Sequence, residues 1–129
     1  GTAVDERTVA FLYADELLTD IADDLFDYED DVLKGVFNVF RLLVHACGAD
    51  AAGVCLAARI SELEAVHAAR KAELDPLVRE KFDQRMRDVF KRPGTRTWQM
   101  PTPIHDEAEY RRSALEAPDK DDDKEPSVL

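Results

Sequence analysis

The sequence predicts an all-α fold, a helical bundle, on three observations. Helix breakers are scarce: 129 residues hold five Gly and six Pro, and every proline lies at or beyond Pro76. Apolar residues recur three and four positions apart at Phe11, Ala14, Leu18, Ile21, Ala22, Leu25 and Val32, the spacing that builds one face of a helix. The weakly punctuated chain is rich in Ala, Leu, Glu, Asp and Arg, and long stretches of this composition favour helix. At 45% hydrophobic and 35% charged residues, the chain has the balance of a globular protein, with a length suited to one domain.

A first helix is expected over 5–33, straight or with a kink near Asp30. Gly35 and Asn38 mark a break, and a second helix is expected over 36–47. Its residues Val36, Phe37, Val39, Phe40, Leu42, Leu43 and Val44 are apolar on nearly all sides, a pattern that predicts a buried helix. Gly48 suits its end, and Asp50 is a candidate N-cap for a third helix over 51–74. Asp75-Pro76 reads as a cap followed by proline at the first helical position, opening a fourth helix that runs to about Lys91. Arg92-Pro93-Gly94-Thr95 breaks the pattern, and the stretch with Trp98, Pro101 and Pro103 is expected to be extended. A short helix follows over 106–115. The organisation is then a helical domain over 1–96, an extended segment and short helix packing on it over 97–116, and an acidic tail over 117–129. That tail's Asp-Lys-Asp-Asp-Asp-Lys run is low in complexity and expected to be disordered.

The net charge of −11 argues against nucleic acid as the main partner, since phosphate binding needs a dominant basic surface. An anionic membrane surface is disfavoured on the same ground. No apolar run reaches the roughly 18 residues that a membrane span needs. Cations and basic protein surfaces are the natural counterparts. Cys47 and Cys55 lie in Ala-rich, apolar surroundings and are expected as buried free thiols, which favours a reducing intracellular compartment. His45, Cys47 and Cys55 do not make a zinc spacing, and His45 and His67 are read as structural. Arg79, Lys81, Arg85, Arg87, Lys91, Arg92 and Arg96 form a basic stretch, read first as a solvated helix end and second as a diphosphate contact.

The segment most able to carry chemistry is Asp20-Ile-Ala-Asp23-Asp24-Leu-Phe-Asp27-Tyr28-Glu29-Asp30-Asp31. At about 100° per residue, Glu16, Asp20, Asp24, Asp27 and Asp31 fall in one stripe, with Asp23 on its border and the apolar face roughly opposite. Like charges a turn apart cost about 0.2–0.5 kcal/mol per pair, and no Lys or Arg occurs from Thr8 to Leu33 to offset them. A divalent cation would. Mg²⁺ takes one or two carboxylates and completes its shell with water and substrate phosphate, which suits single carboxylates one turn apart. A calcium-binding EF-hand loop does not fit, because its Gly and Glu are missing from register.

The string Ala22-Asp23-Asp24-Leu25-Phe26-Asp27-Tyr28, with Asp30 and Asp31 following, resembles the aspartate-rich DDxxD motif of the class I isoprenoid synthases. It is most similar to the second such motif of trans-prenyl diphosphate synthases, and squalene, phytoene and terpene synthases share that fold and similar motifs. The resemblance implies an isoprenoid-synthase-like helical bundle in which Asp23, Asp24 and Asp27 hold Mg²⁺. The metal would grip an isoprenyl diphosphate and polarise the leaving diphosphate, and apolar helices would wall a cavity for the isoprenoid chain. The chain departs from the pattern at Thr19 and Asp20, where the family has Phe-Gln, and at Gly35-Val36-Phe37-Asn38, which lacks the family's lysine. At less than half the family's domain length it is expected to be a partial domain, a transferase or lyase of isoprenyl diphosphates only as part of a complete one. The alternative is a non-catalytic acidic helical module whose stripe binds a basic protein surface, with a salt-sensitive, Mg²⁺-independent affinity.

Overall fold

Asp5 sets where the first helix begins. Its carboxylate accepts the Arg7 backbone N–H at 3.0 Å, which caps α1, Glu6–Lys34. The computed structural model describes residues 5–89 and 98–116. Within them α1 is one unbroken helix through Asp30, and it ends at Gly35, whose φ of 66° lets its N–H reach the carbonyls of Asp31 and Val32. That left-handed turn is why glycine stands there. α2 spans Val39–Cys47, α3 Ala49–Ala72, α4 Pro76–Val89 and α5 Glu107–Glu116. The described residues contain no strand, so the all-α expectation holds.

The α2–α3 connection is Gly48 alone, at φ 88° and ψ 154°. Asp75 accepts the Leu77 N–H at 2.9 Å and opens α4, as the Asp-Pro pair predicts. Asp106 does the same for α5 through the Glu109 N–H at 3.0 Å. Asp50, by contrast, lies in the first turn of α3 instead of capping it, where its charge still complements the helix dipole.

α1, α2 and α3 pack on one another around a core of Leu18, Leu25, Tyr28, Val32, Phe40, Ala52, Leu56, Ile60 and Leu63. On α3 the buried positions fall four, four and three apart, a single stripe turned toward α1. Each large side chain buried here contributes about 1.5–3 kcal/mol. At the other end of α1, Phe11 meets Phe82 edge-on at 4.7 Å and the His67 ring at 4.8 Å, which seats α4. His67 also holds Asp15 at 3.0 Å, a structural role as read from the sequence.

Residues 98–116 fold back over this bundle. Trp98, Met100, Ile104 and Tyr110 pack against the core, and Trp98 Nε1 donates to Glu64. The extended stretch is laid along α1 by the Tyr28 hydroxyl, which accepts the Ile104 N–H at 2.9 Å.

Three further expectations need correction. The second helix starts at Val39 instead of Val36, because Gly35 turns left-handed and Asn38 supplies the cap. It is also not buried all round: Phe40 is enclosed, but Leu42 is 53% exposed, and Phe37, which the expected helix included and which now precedes it, is 72% exposed. α1 and α3 cover only one side of this nine-residue helix. Finally, Cys47 and Cys55 are free but exposed, since the buried stripe of α3 passes beside Cys55 through Ala52 and Leu56. The expected end of the fourth helix at Lys91, the Arg92–Thr95 break and the 117–129 tail lie outside the described residues.

Candidate functional site

The centre of the aspartate run lies under the N-terminus of α2. Asn38 is buried, 1% exposed, and its side-chain oxygen accepts the N–H groups of Phe40 at 3.0 Å and Arg41 at 3.2 Å. Its side-chain nitrogen donates to the Asp24 carbonyl at 2.6 Å and to Asp31 Oδ2 at 3.0 Å. The remaining free amide of that first turn, on Val39, donates to Asp24 Oδ2 at 2.8 Å. Asn38 and Asp24 therefore satisfy together three of the four donors that a helix N-terminus leaves open. The positive end of the α2 dipole rests on the aspartate stripe.

This changes the electrostatic account of α1. The stripe has no basic side chain of its own, yet Asp24 and Asp31 gain compensating donors from within the fold. The compensation is incomplete. Burial pushes the Asp24 carboxyl above its ordinary value, the Val39 N–H opposes this, and the charges of Asp31, Asp20 and Asp27 raise it further. Asp24 is thus a crowded, half-buried carboxylate.

Between α1, α2 and α3 opens an apolar hollow of about 390 Å³. Leu17 and Ile21 of α1, Phe37, Val39 and Leu43 of the α2 region, and Leu56 and Leu63 of α3 wall it. Asp20, Asp24 and Arg59 supply its polar edge. Arg59 pairs with Glu62 at 3.0 Å, with both side chains well exposed. Such a pair is weakly held and can exchange partners.

Of Asp23, Asp24 and Asp27, only Asp24 lines the hollow, joined there by Asp20. Asp23 and Asp27 are half-buried and stand one turn apart on α1, farther round from its core face. Asp23 keeps its Oδ1 atom out of solvent without a hydrogen bond to that atom, while the residue makes other interactions. Among the described residues, no three His, Cys, Asp or Glu side chains are grouped so as to hold one ion. A cation that takes one or two carboxylates and draws its other ligands from water and phosphate, as Mg²⁺ does, needs no such group.

The described part of the basic stretch, Arg79, Lys81, Arg85 and Arg87, is not brought to these aspartates. It lies on α4, which packs beside Phe11, about 20 Å along α1 from Asp24 at 1.5 Å per residue. Arg59 and Asn38 are the residues that sequence reasoning missed as parts of the site. Arg59 follows Leu56 by three positions and precedes Leu63 by four, a spacing that places it at the edge of the α3 stripe. Asn38 carries the side chain of a strong N-cap. No protein-family model matches the chain, and neither do any curated proteins or solved structures at a significant level.

Proposed function

We propose that this chain is an isoprenoid-synthase-like helical domain that binds a Mg²⁺–diphosphate group on α1 and an isoprenyl chain in the adjoining apolar hollow. The observation that carries this reading is the meeting of two features on one helix: a hollow of about 390 Å³ with apolar walls, and a carboxylate edge, Asp20 and Asp24, continuous with the Asp23–Asp27 turn. That volume lies at the small end of ligand pockets, about 300–1,000 Å³. The DDxxD resemblance of Asp23, Asp24 and Asp27 supports the same assignment. Asp23 and Asp27, one turn apart, would hold the ion, with the free oxygen of Asp24 beside them. When bound, Mg²⁺ would bridge carboxylate to diphosphate and stabilise negative charge on the leaving diphosphate. Arg59 can turn from Glu62 to the same diphosphate, and Leu17, Ile21, Leu43 and Leu56 exclude water from the chain.

A second reading has its own observation. Asp24 and Asp31 already serve the fold by holding Val39 and Asn38, so part of the acidic stripe is explained without a ligand. On that reading the rest is a surface for a basic protein partner.

Thermal melts with Mg²⁺ and pyrophosphate, together and singly, separate the two. A ligand at about 100 times its Kd adds roughly 2.7 kcal/mol, several degrees for a domain of this size. The expected result is a rise in Tm with both ligands that is lost in Asp23→Asn and Asp27→Asn. Asp24→Ala is a poor reporter because it also disturbs α2. No rise with both ligands, or a rise that survives both substitutions, would remove the metal–diphosphate reading.

A further inference from the structure

A second hollow, of about 410 Å³, lies against the first turns of α1, walled by Glu6, Val9, Ala10, Tyr13 and Arg70. It stands in line with the first. Tyr13 here and Leu17 in the first hollow are one turn apart on α1, and Arg70 and Leu63 are two turns apart on α3, so each pair shares a helix face. The two helices run antiparallel along this seam: His67 holds Asp15 at 3.0 Å, and Arg70 donates to the Ala10 carbonyl at 2.9 Å. Val66 falls between Leu63 and Arg70 on the same side of α3. The seam therefore continues beyond the first hollow as a groove with apolar walls open to solvent. Val9 is 50%, Tyr13 60% and Val66 39% exposed. Its rim on α1 is acidic: Glu6, Glu16 and Asp20 are exposed on the face of Val9 and Tyr13, and no Lys or Arg occurs from Thr8 to Leu33.

We infer that this groove docks an amphipathic helix with a basic flank, supplied by a protein partner. For the partner's charge the inference rests on the second reading of the acidic stripe, and it leaves the first hollow free. The apolar walls call for an apolar face, and a helix brings one with its backbone already paired. An extended segment laid here would turn N–H and C=O groups toward apolar walls, with no sheet edge among the described residues to pair them. From Glu6 to Asp20 the groove runs roughly 21 Å at 1.5 Å per residue, room for about four helical turns. Apolar side chains of the partner at helical spacing meet Val9, Tyr13 and Val66, and its Lys or Arg flank meets Glu16 and Asp20. Arg70 does not oppose that flank at the rim, because its guanidinium is turned to the Ala10 carbonyl. A second copy of this chain is a poor occupant: at a net charge of −11 it sets acid against acid.

The test is fluorescence anisotropy of the full chain with two labelled peptides of about four helical turns, isomers built from Leu and Lys. In one, Leu recurs at helical spacing; in the other, the same residues are scrambled. The first should bind and turn helical by circular dichroism, and the second should bind at least about tenfold more weakly. Val9→Ser combined with Tyr13→Ser should weaken the first peptide by about tenfold or more, the scale of one lost hot-spot side chain. Both positions are exposed, so the fold should stand, and an unchanged urea midpoint checks it. Glu16→Gln combined with Asp20→Asn should weaken both peptides and flatten the salt dependence. Equal binding of the two isomers, lost in the Glu16 and Asp20 variant, would overturn the helix and leave the basic-partner reading standing. Binding of neither would remove both. Binding of the first peptide that ignores the Val9 and Tyr13 substitutions would put it on another surface and overturn the inference.

Discussion

Glu107 grips Arg41 through both carboxylate oxygens across 66 residues of sequence, with Arg41 Nε donating at 3.1 and 3.0 Å and Nη2 at 2.9 Å. His45 Nε2 lies 2.9 Å from Oε2, and Arg111 Nη2 donates to Oε1 at 3.0 Å. Arg41 also donates to the Val36 carbonyl at 2.9 Å, and Arg111 to the Val32 carbonyl at 2.9 Å. One carboxylate therefore ties α5, α2 and the last turn of α1. The Glu107 side chain is 11% exposed, so these charges sit where pairing matters more than it does at an open surface. Glu107→Gln should lower stability by about 1–3 kcal/mol, the range for losing hydrogen bonds between charged groups. Urea unfolding at neutral pH measures it. A change within about 0.5 kcal/mol, as at ordinary surface sites, would mean the cluster is ornamental.

The same group sets an acid limit. The hydrogen bonds from Arg41 pull the Glu107 carboxyl from 4.5 down to about 2, against the effect of burial and with help from His45. Between those values the unfolded chain binds the proton and the native chain does not. Stability therefore rises with pH across that window. The contribution is complete above about pH 5 and is lost as pH falls from 4.5 toward 2. Unfolding free energies at pH 3 and pH 5 should differ more in the wild type than in Glu107→Gln, which has no proton to gain. Equal differences would assign the acid sensitivity to the other carboxylates.

Tyr28 is buried, 1% exposed, and crosses Phe40 edge-on at 4.9 Å while its hydroxyl accepts from Ile104. Tyr28→Phe keeps the ring contact and removes only the acceptor. The cost should be about 1–2 kcal/mol, the desolvation of an N–H left without its partner. Hydrogen exchange should quicken at the Ile104 amide, with little change along α1 around position 28. If that amide is no less protected in the variant, the extended stretch is held by Trp98 and Met100 instead.

The parts of the fold that the sequence makes legible are those with a local cause. Period and capping chemistry place α1, α4 and α5 to within a residue or two at the ends described, because Asp5, Asp75 and Asp106 act on amides two or three positions away. What escapes is set by distant partners. Asn38 reads as a break until α1 arrives to take its side-chain nitrogen, and α2 reads as buried until it proves to lie at the edge of the bundle. At the candidate site, the aspartate stripe and its opposition to an apolar face are visible from spacing alone. Which aspartates meet the hollow is not, since that depends on where α2 crosses α1.

The crossing makes Asp24 the most informative residue to change. It has a structural task, accepting the Val39 N–H, and an electrostatic liability, its place among Asp20, Asp27 and Asp31. Asp24→Asn keeps an oxygen for Val39 and removes the charge. Asp24→Ala removes both. In the absence of metal, Asn should match or exceed wild-type stability, because relief of like-charge repulsion of about 0.2–0.5 kcal/mol per pair offsets the weaker neutral hydrogen bond. Ala should lose about 1 kcal/mol, the usual cost of a missing cap, and the Val39 amide should exchange faster. Thermal or urea unfolding of the two variants side by side decides it. If Asn is as damaging as Ala, the negative charge itself anchors α2, and the dipole contact at Val39 outweighs the repulsion along the stripe.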